Sequence, residues 1–367
     1  MLQLIPPGTN IDFLGKAKIC ITLSLVVMFI GLASIVLRGG FSQGIDFSGG
    51  ILLQLRFSQP AALGEVREAL GEIGLGKSIV QHFGDPHEVL IRTAQPPGAG
   101  QDIGQQVQKA LQDRFTSQTV ELRRVEIVGA QASADLRRQA LFALFYAILG
   151  TVVYLSGRFE GKWGVALGLA VTLFVIIYGI TQWFPGVSPT ILIIVAIIVS
   201  TIFGLVLDLR YALAAIIAIY HDILITLGFL SLFDKEFDLQ IIAALLTIIG
   251  YSLNDTIIIF DRIRENMRGQ RREAFAKVVN DSINQTLSRT LLTVGHTLLV
   301  VLALFLLGGE VLHDFAFTLL IGFISGTFST IYVAGPVLVY WQALTGRLQA
   351  RTLPSMAKPR IGTDTRR

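Results

Sequence analysis

The sequence predicts an α-helical polytopic membrane protein that carries one α+β domain of ferredoxin-like order outside the bilayer. Three observations predict it. Hydrophobic residues make up 52% of the 367 residues and charged residues only 15%, with a mean hydropathy of +0.63, a balance that excludes the pair of soluble domains the length alone would allow. Eight apolar runs are each long enough to cross a hydrocarbon core of about 30 Å at about 1.5 Å per residue. About one hundred residues after the first run read in order as β-α-β-β-α-β.

Residues 1–18 read as a cytoplasmic N-terminus and 19–37 as the first span. Lys16, Lys18 and the small pair Ala33-Ser34 raise the competing reading of a cleaved signal peptide, but the apolar run is longer than the h-region of such peptides. We treat it as an anchor. Residues 38–138 form the extracytoplasmic domain. "GIDFSGGILLQLRF" alternates like a strand, "PAALGEVREALGEIG" has helical spacing, and "SIVQHFG" and "EVLIRT" read as strands around Asp85-Pro86. A helix from Asp102 to Phe115 and the strand "TVELRRVEIVG" complete the order. Such a sheet leaves one face to be covered. With few catalytic residue types clustered, that face reads as a docking surface, a ligand-free spacer being the competing reading.

The remaining spans fall at about 139–156, 163–184, 190–207, 211–233, 239–260, 290–307 and 315–341, so that 139–341 is a transmembrane bundle and 342–367 a basic cytoplasmic tail. Connecting charges orient it. Lys16 and Lys18, Arg158 and Lys162, Arg210, the run Arg262 to Lys277 and the tail from Arg347 lie on one alternating set of segments. The opposite set holds the charge-free "TQWFPGVSPT", the mostly acidic "DKEFD" and "GGEVLHD". The positive-inside rule makes both termini of this multi-pass protein cytoplasmic.

Composition also excludes function classes. One cysteine, Cys20, lies in the first apolar run, so no disulfide framework and no cysteine metal site is available, and five scattered histidines give no metal site either. The net charge of +4 and pI near 9.2 come from Lys and Arg beside apolar segments, where topology explains them better than nucleic acid does. No G-x-x-x-x-G-K-[ST] loop is present, so ATP is not the energy source expected. No catalytic residues, no metal and no bound cofactor are expected, and the chain does not read as an enzyme. "DRIRENMRGQRREAFAKVVNDSINQ" is a basic amphipathic stretch, with Ile263, Met267, Phe275 and Val279 as lipid-facing residues, expected to lie along the inner interface against anionic membrane lipids.

Four stretches are specific enough to carry a resemblance. "GIDFSGG" after the first span, "AAIIAIYHDILIT" in the fifth, "LTIIGYSLNDTIIIFDRIREN" in the sixth and "NQTLSRTLLT" before the seventh resemble the SecF family of bacterial protein-translocase subunits. The resemblance covers about residues 10 to 345 with one gap. It implies an RND-like transmembrane bundle and a subunit that works with a SecD-like subunit, the SecYEG channel and a YajC-like small subunit. Such a subunit uses the proton motive force to assist a translocating polypeptide. The family pattern has six spans. Here "GRFEGKWG" leads into about 45 additional residues, supplying an added hairpin at about 163–207 whose two spans leave later loops on their family sides. A partial likeness between "FEGKWGVALGLAVTLFVIIYGI" and "LDLRYALAAIIAIYHDILITLGF" leaves open a duplication.

Asp255 lies seven residues before Arg262, roughly 10 Å inside the boundary at about 1.5 Å per residue. An ionised aspartate there costs about 2.5–3.5 kcal/mol, so it must face a polar interior, find a cation or bind a proton. Asp255 resembles the family's intramembrane aspartate and Arg289 its arginine, a fixed charge against which a carboxylate titrates. Thr293 and His296 share a helical face with Arg289. Snorkelling to lipid phosphate is the competing role for Arg289. His221 and Asp222 form a second polar site, read either as a relay or as packing hydrogen bonds, since their side chains leave a helix about 100° apart. Asn254, Ser252, Tyr251 and Thr293 are expected to supply hydrogen-bonding groups around Asp255. Asp46, Phe47, Ser48, Gly49 and Gly50 form the extracytoplasmic motif. Competing functions are an RND-type exporter of small molecules or lipids and a passive assembly scaffold.

Overall fold

The computed structural model describes residues 5, 6, 8–93, 102–183, 189–269 and 274–352. The charge-free loop at 184–188, the arginines at 271 and 272 and the tail beyond 352 lie outside the described residues.

Helix α1, Phe13–Leu37, starts where Asp12 accepts a hydrogen bond from Gly15 N at 2.7 Å, a side-chain N-cap. A one-turn helix α2, Ile45–Ser48, follows. The motif read as the start of a strand is therefore helical at Asp46, Phe47 and Ser48, because Gly49 turns the chain at φ +68° before the strand begins. Strand β1, Gly50–Phe57, helix α3, Leu63–Glu72, strands β2, Ile79–Phe83, and β3, Asp85–Thr93, helix α4, Ile103–Arg114, and strand β4, Val120–Val128, then give the expected order. All pairings are antiparallel in the order β2-β3-β1-β4. The β2–β3 turn sits at Gly84, φ +70°, and not at Asp85-Pro86. Pro86 is tolerated at the start of β3, where its missing N–H matters least. Alternate residues Ile51, Leu53, Leu55 and Phe57 pack with Val66 and Leu70 of α3 and Val107 and Leu111 of α4. That is the buried face of a two-residue period.

The long helices follow: α5, Ala130–Glu160, α6, Trp163–Trp183, α7, Pro189–Val206, α8, Arg210–Leu232, α9, Leu239–Gly269, α10, Phe275–Leu307, and α11, Gly309–Ser329. A π-helical turn, Thr330–Ala334, joins α11 to α12, Gly335–Thr352. Pro336 offers no N–H to the carbonyl one turn earlier, and the widened turn immediately before it absorbs that loss. Seven described helices are long and apolar enough to cross a membrane, one fewer than the eight expected. The run not among them, 190–207, is helical as α7 (18 residues), with several of its side chains outside the described residues.

Helices α1 and α8 cross at Gly31 and Gly228, where a Cβ on Gly31 would lie 2.6 Å from the Gly228 Cα, so only small residues allow the approach. The described residues of the stretch expected to lie along the interface belong instead to the end of α9 and the start of α10. Ile263 and Val279 are not lipid-facing: both are fully buried in the core with Phe260, Ile283 and Leu338. The amphipathic pattern is there, but Ile263 and Val279 pack inward and Phe275 is half-buried on the same core, whereas Met267 stays exposed.

Candidate functional site

Two buried carboxylates sit inside the bundle. Asp222, on α8, is 1% exposed, and its neighbour His221 is 6% exposed. Three serine hydroxyls donate to the Asp222 carboxylate: Ser252 of α9 to Oδ2 at 2.7 Å, Ser325 of α11 to Oδ1 at 2.8 Å and Ser329 to Oδ2 at 2.8 Å. His221 Nδ1 stands 3.1 Å from Oδ1. Adjacent positions on a helix diverge, yet this pair bonds. Four donors occupy both oxygens, which is what makes burial of this carboxylate tolerable. Gly326 leaves room for it: a Cβ there would lie 3.2 Å from the Ser252 Cβ and 3.6 Å from Asp222 Oδ2. His221 also stacks on Phe328 at 5.8 Å, and its Nε2 is buried with no hydrogen-bond partner.

Asp255, on α9 nearly one turn beyond Ser252, is also 1% exposed, but its Oδ1 has no hydrogen-bond partner. Arg289, on α10, acts on it electrostatically without forming an ion pair. Arg289 itself is exposed at the surface of the chain. Thr290 beside it has a buried, unpartnered Oγ1. One helical turn beyond Asp222's cage, Thr256 and Thr330 share a hydrogen bond of 3.1 Å, tying α9 to the π-helical turn.

The polar groups expected around Asp255 go elsewhere. Ser252 turns to Asp222; Asn254 is exposed; the Tyr251 hydroxyl donates to Thr297 at 3.1 Å; and Thr293 donates to the backbone carbonyl of Arg289 at 3.0 Å. The helical face holding Arg289, Thr293 and His296 looks outward from the chain. Asp255 and His221 are both buried within this chain, and the uncovered polar stripe belongs to α10.

The motif residues lie at the sheet-domain end. Asp46 Oδ2 accepts a hydrogen bond from the first N–H of α9, at Leu239, over 3.1 Å. Phe47 is buried against Ala140 and Ile242, Ser48 donates to Gly44 O at 3.0 Å, Gly49 abuts Ser133 and Val128, and Gly50 opens β1. Residues that sequence reasoning missed include Asn280 and Asn284, whose amides hold the backbone of Ile11 and Phe13 at the start of α1. Ser325 and Ser329 were missed too. Their spacing of four, three turns of helix away from any charged residue, was the available signal. Burial pushes the Asp238 carboxyl up to about 6, with Asp46 and Glu236 adding to the shift against the N–H groups of Ile241 and Gln240. Arg210 and Trp341 hold Asp208 below its ordinary range.

Comparison with known proteins agrees with this architecture. The family model described as "Protein export membrane protein SecD/SecF, C-terminal" matches residues 106–199 and 187–344, two stretches that overlap at 187–199. The "SecD/SecF GG Motif" matches 36–61. The protein translocase subunit SecF of Magnetococcus marinus is 39% identical over 341 residues, 92% of this chain and 94% of that one. The SecF of Pseudomonas aeruginosa is 35% identical over 352 residues, 96% and 97% of the two chains. Among solved structures, the translocon-associated membrane protein SecDF of Thermus thermophilus superposes with a TM-score of 0.67 at 31% identity, over 92% of this chain and 39% of that one. A SecDF in a super-membrane-facing form gives a TM-score of 0.55 at 28% identity, over 96% and 41%. The chain thus spans about two fifths of each SecDF.

Proposed function

Because this chain belongs to the SecF family of protein translocase subunits, we propose that it takes up protons at Asp255 and uses the proton motive force to assist polypeptide translocation through a SecYEG-type channel. The observation that carries the reading is the contrast between the two buried carboxylates. Asp222 is saturated by four donors, whereas Asp255 keeps an unpartnered oxygen within reach of the Arg289 charge. A buried carboxylate with an open site is the one that gains a proton or a cation. Each charge moved through about 100 mV releases about 2.3 kcal/mol, enough to shift a two-state equilibrium roughly fifty-fold.

A SecD-like chain completes the machine in this reading, because the solved SecDF chains hold further segments beside the part this chain matches. It docks on α10, where Arg289 and His296 are left uncovered, an expensive arrangement against lipid. The sheet domain is extracytoplasmic and both termini are cytoplasmic, as the loop charges require. A YajC-like small subunit is a further partner, and no cofactor beyond the proton gradient is invoked.

The test uses membranes containing the SecD-like chain and the channel. Asp255→Asn is expected to abolish the proton-dependent part of export while expression and co-purification persist. Arg289→Lys is expected to impair it, since a compact ammonium does not reproduce the guanidinium fork. Full proton-dependent export by the Asp255→Asn complex would falsify the proposal.

A further inference from the structure

The sequence motif after the first span has no role in the proton reading, yet it is where the sheet domain meets α9. Helix α9 has no covalent connection to that domain; α1 and α5 do. What joins α9 to it is a strip of contacts between residues 41–48 and 236–242. Phe237 N donates to Ser42 O at 2.7 Å and Gly44 N to Phe237 O at 2.9 Å, with a parallel bridge between Gln43 and Phe237. The Phe237 ring lies 5.2 Å from Phe41 and 5.8 Å from Phe47. No side chain fits at Gly44, where a Cβ would stand 2.8 Å from the Asp238 Cβ. From the sheet, Arg92 of β3 pairs with Glu236 and donates to Gln43 O at 3.0 Å.

The one-turn helix α2 works as a plug with two faces. Ile45 packs under the sheet with Leu52 and Leu90, whereas Phe47 packs between the helices with Ala140 of α5 and Ile242 of α9. Asp46, between them, accepts the Leu239 N–H, and Asp238 accepts the Ile241 N–H at 2.9 Å. Amides that a helix start leaves open are thereby met, and one of the acceptors, Asp46, comes from the sheet-domain linker.

We propose that residues 41–48 are the joint that makes the sheet domain and α9 move as one body, and that Asp46 couples that domain to the helix carrying Asp255. This rests on the proton-coupled reading above. Asp255 lies 16 residues beyond Leu239, about 24 Å along a straight helix. A tilt of about 5° at the joint therefore displaces it by about 2 Å, enough to make or lose a hydrogen bond. Motion of the sheet domain is read at Asp255, and protonation of Asp255 is read at the sheet domain.

Two measurements test it. The first is a distance distribution between spin labels on Lys77→Cys, at the surface of the sheet domain, and Arg268→Cys, at the far end of α9, in the complex with Cys20→Ser. A single narrow distribution is expected, broadened by Asp46→Ala and restored by Asp46→Asn, which keeps a carbonyl acceptor. The second is proton flux and proton-dependent export in the same proteoliposomes. Asp46→Ala is expected to keep Asp255-dependent flux and to lower export about tenfold, a change equivalent to about 1.4 kcal/mol. An unchanged distance distribution overturns the joint whatever export does. Equal loss of flux and export also overturns it, since Asp46 would then be a structural support only. A broadened distribution with no Asp255-dependent flux in the unsubstituted complex leaves the joint standing as mechanics, but removes both the proton reading and the role of Asp46 in it.

Discussion

Single residues divide the two buried carboxylates by what surrounds them, and the division is measurable. Asp222→Asn puts an amide NH2 against serine donors; each buried polar group left unsatisfied costs about 1–3 kcal/mol. The variant is expected to lower the melting temperature of the purified chain clearly more than Asp255→Asn, which removes no hydrogen bond at Oδ1. The reverse order in a thermal melt would show the cage to be dispensable. Asp238 gives a pH test outside the bundle. Its folded value of about 6 lies above the 3.8 of an ordinary aspartate, so the folded chain prefers it protonated. The stability it contributes is fully present below that ordinary value and is lost as the pH rises through about 6. Asp238→Asn, which remains a good N-cap, is expected to flatten the fall in melting temperature between about pH 4.5 and about pH 7. Asp255 was legible in the sequence because an acid inside an apolar run has no cheap explanation. Its surroundings were not, because hydroxyls serve backbone carbonyls, lipid-facing surfaces and carboxylates alike, and only the crossing of α8, α9 and α11 decides that Ser252, Ser325 and Ser329 converge on Asp222.

Among the elements, close crossings are the vulnerable points. The α1–α8 crossing depends on two glycines whose Cβ positions are already occupied by backbone, so Gly31→Val or Gly228→Val must push the helices apart. Either is expected to expose Ser34, which shares a 2.9 Å hydrogen bond with Ser231 across that crossing, and to speed proteolysis or thiol labelling near the end of α1. Unchanged labelling of Ser34→Cys in the Gly31→Val background would count against it. The elements themselves were largely readable: the βαββαβ order, the apolar runs and the helix over 103–114 follow from periodicity and length. What misled was local context. "GIDF" alternates, but a following glycine at positive φ lets four residues close a helical turn. The stretch around Ile263 and Val279 has the pattern of an interfacial helix, but that same pattern suits two helices that pack apolar sides on the core. Periodicity states that an apolar face exists and is silent on what covers it.

At the scale of the whole molecule, the hairpin α6–α7 leaves the bundle and returns to it at one place, while Leu169, Leu173 and Ile177 of α6 pack on Phe145 and Leu149 of α5. Glu160, just before it, accepts the Tyr211 N–H at 2.9 Å, just after it, so α5 still caps α8 across the intervening residues. Lys162 Nζ donates to Leu207 O, which brings the two feet of the hairpin together. In the language of descent rather than mechanics, α6 and α7 can be read as a cassette: the ends of the segment meet, and the helices on either side of it touch each other directly. A chain from which residues 163–206 are excised, with Lys162 joined to Leu207, is accordingly expected to insert with its later loops on the same side and to bind the same partner. Failure of that shortened chain to accumulate in membranes would mean that the guest has since become part of the house.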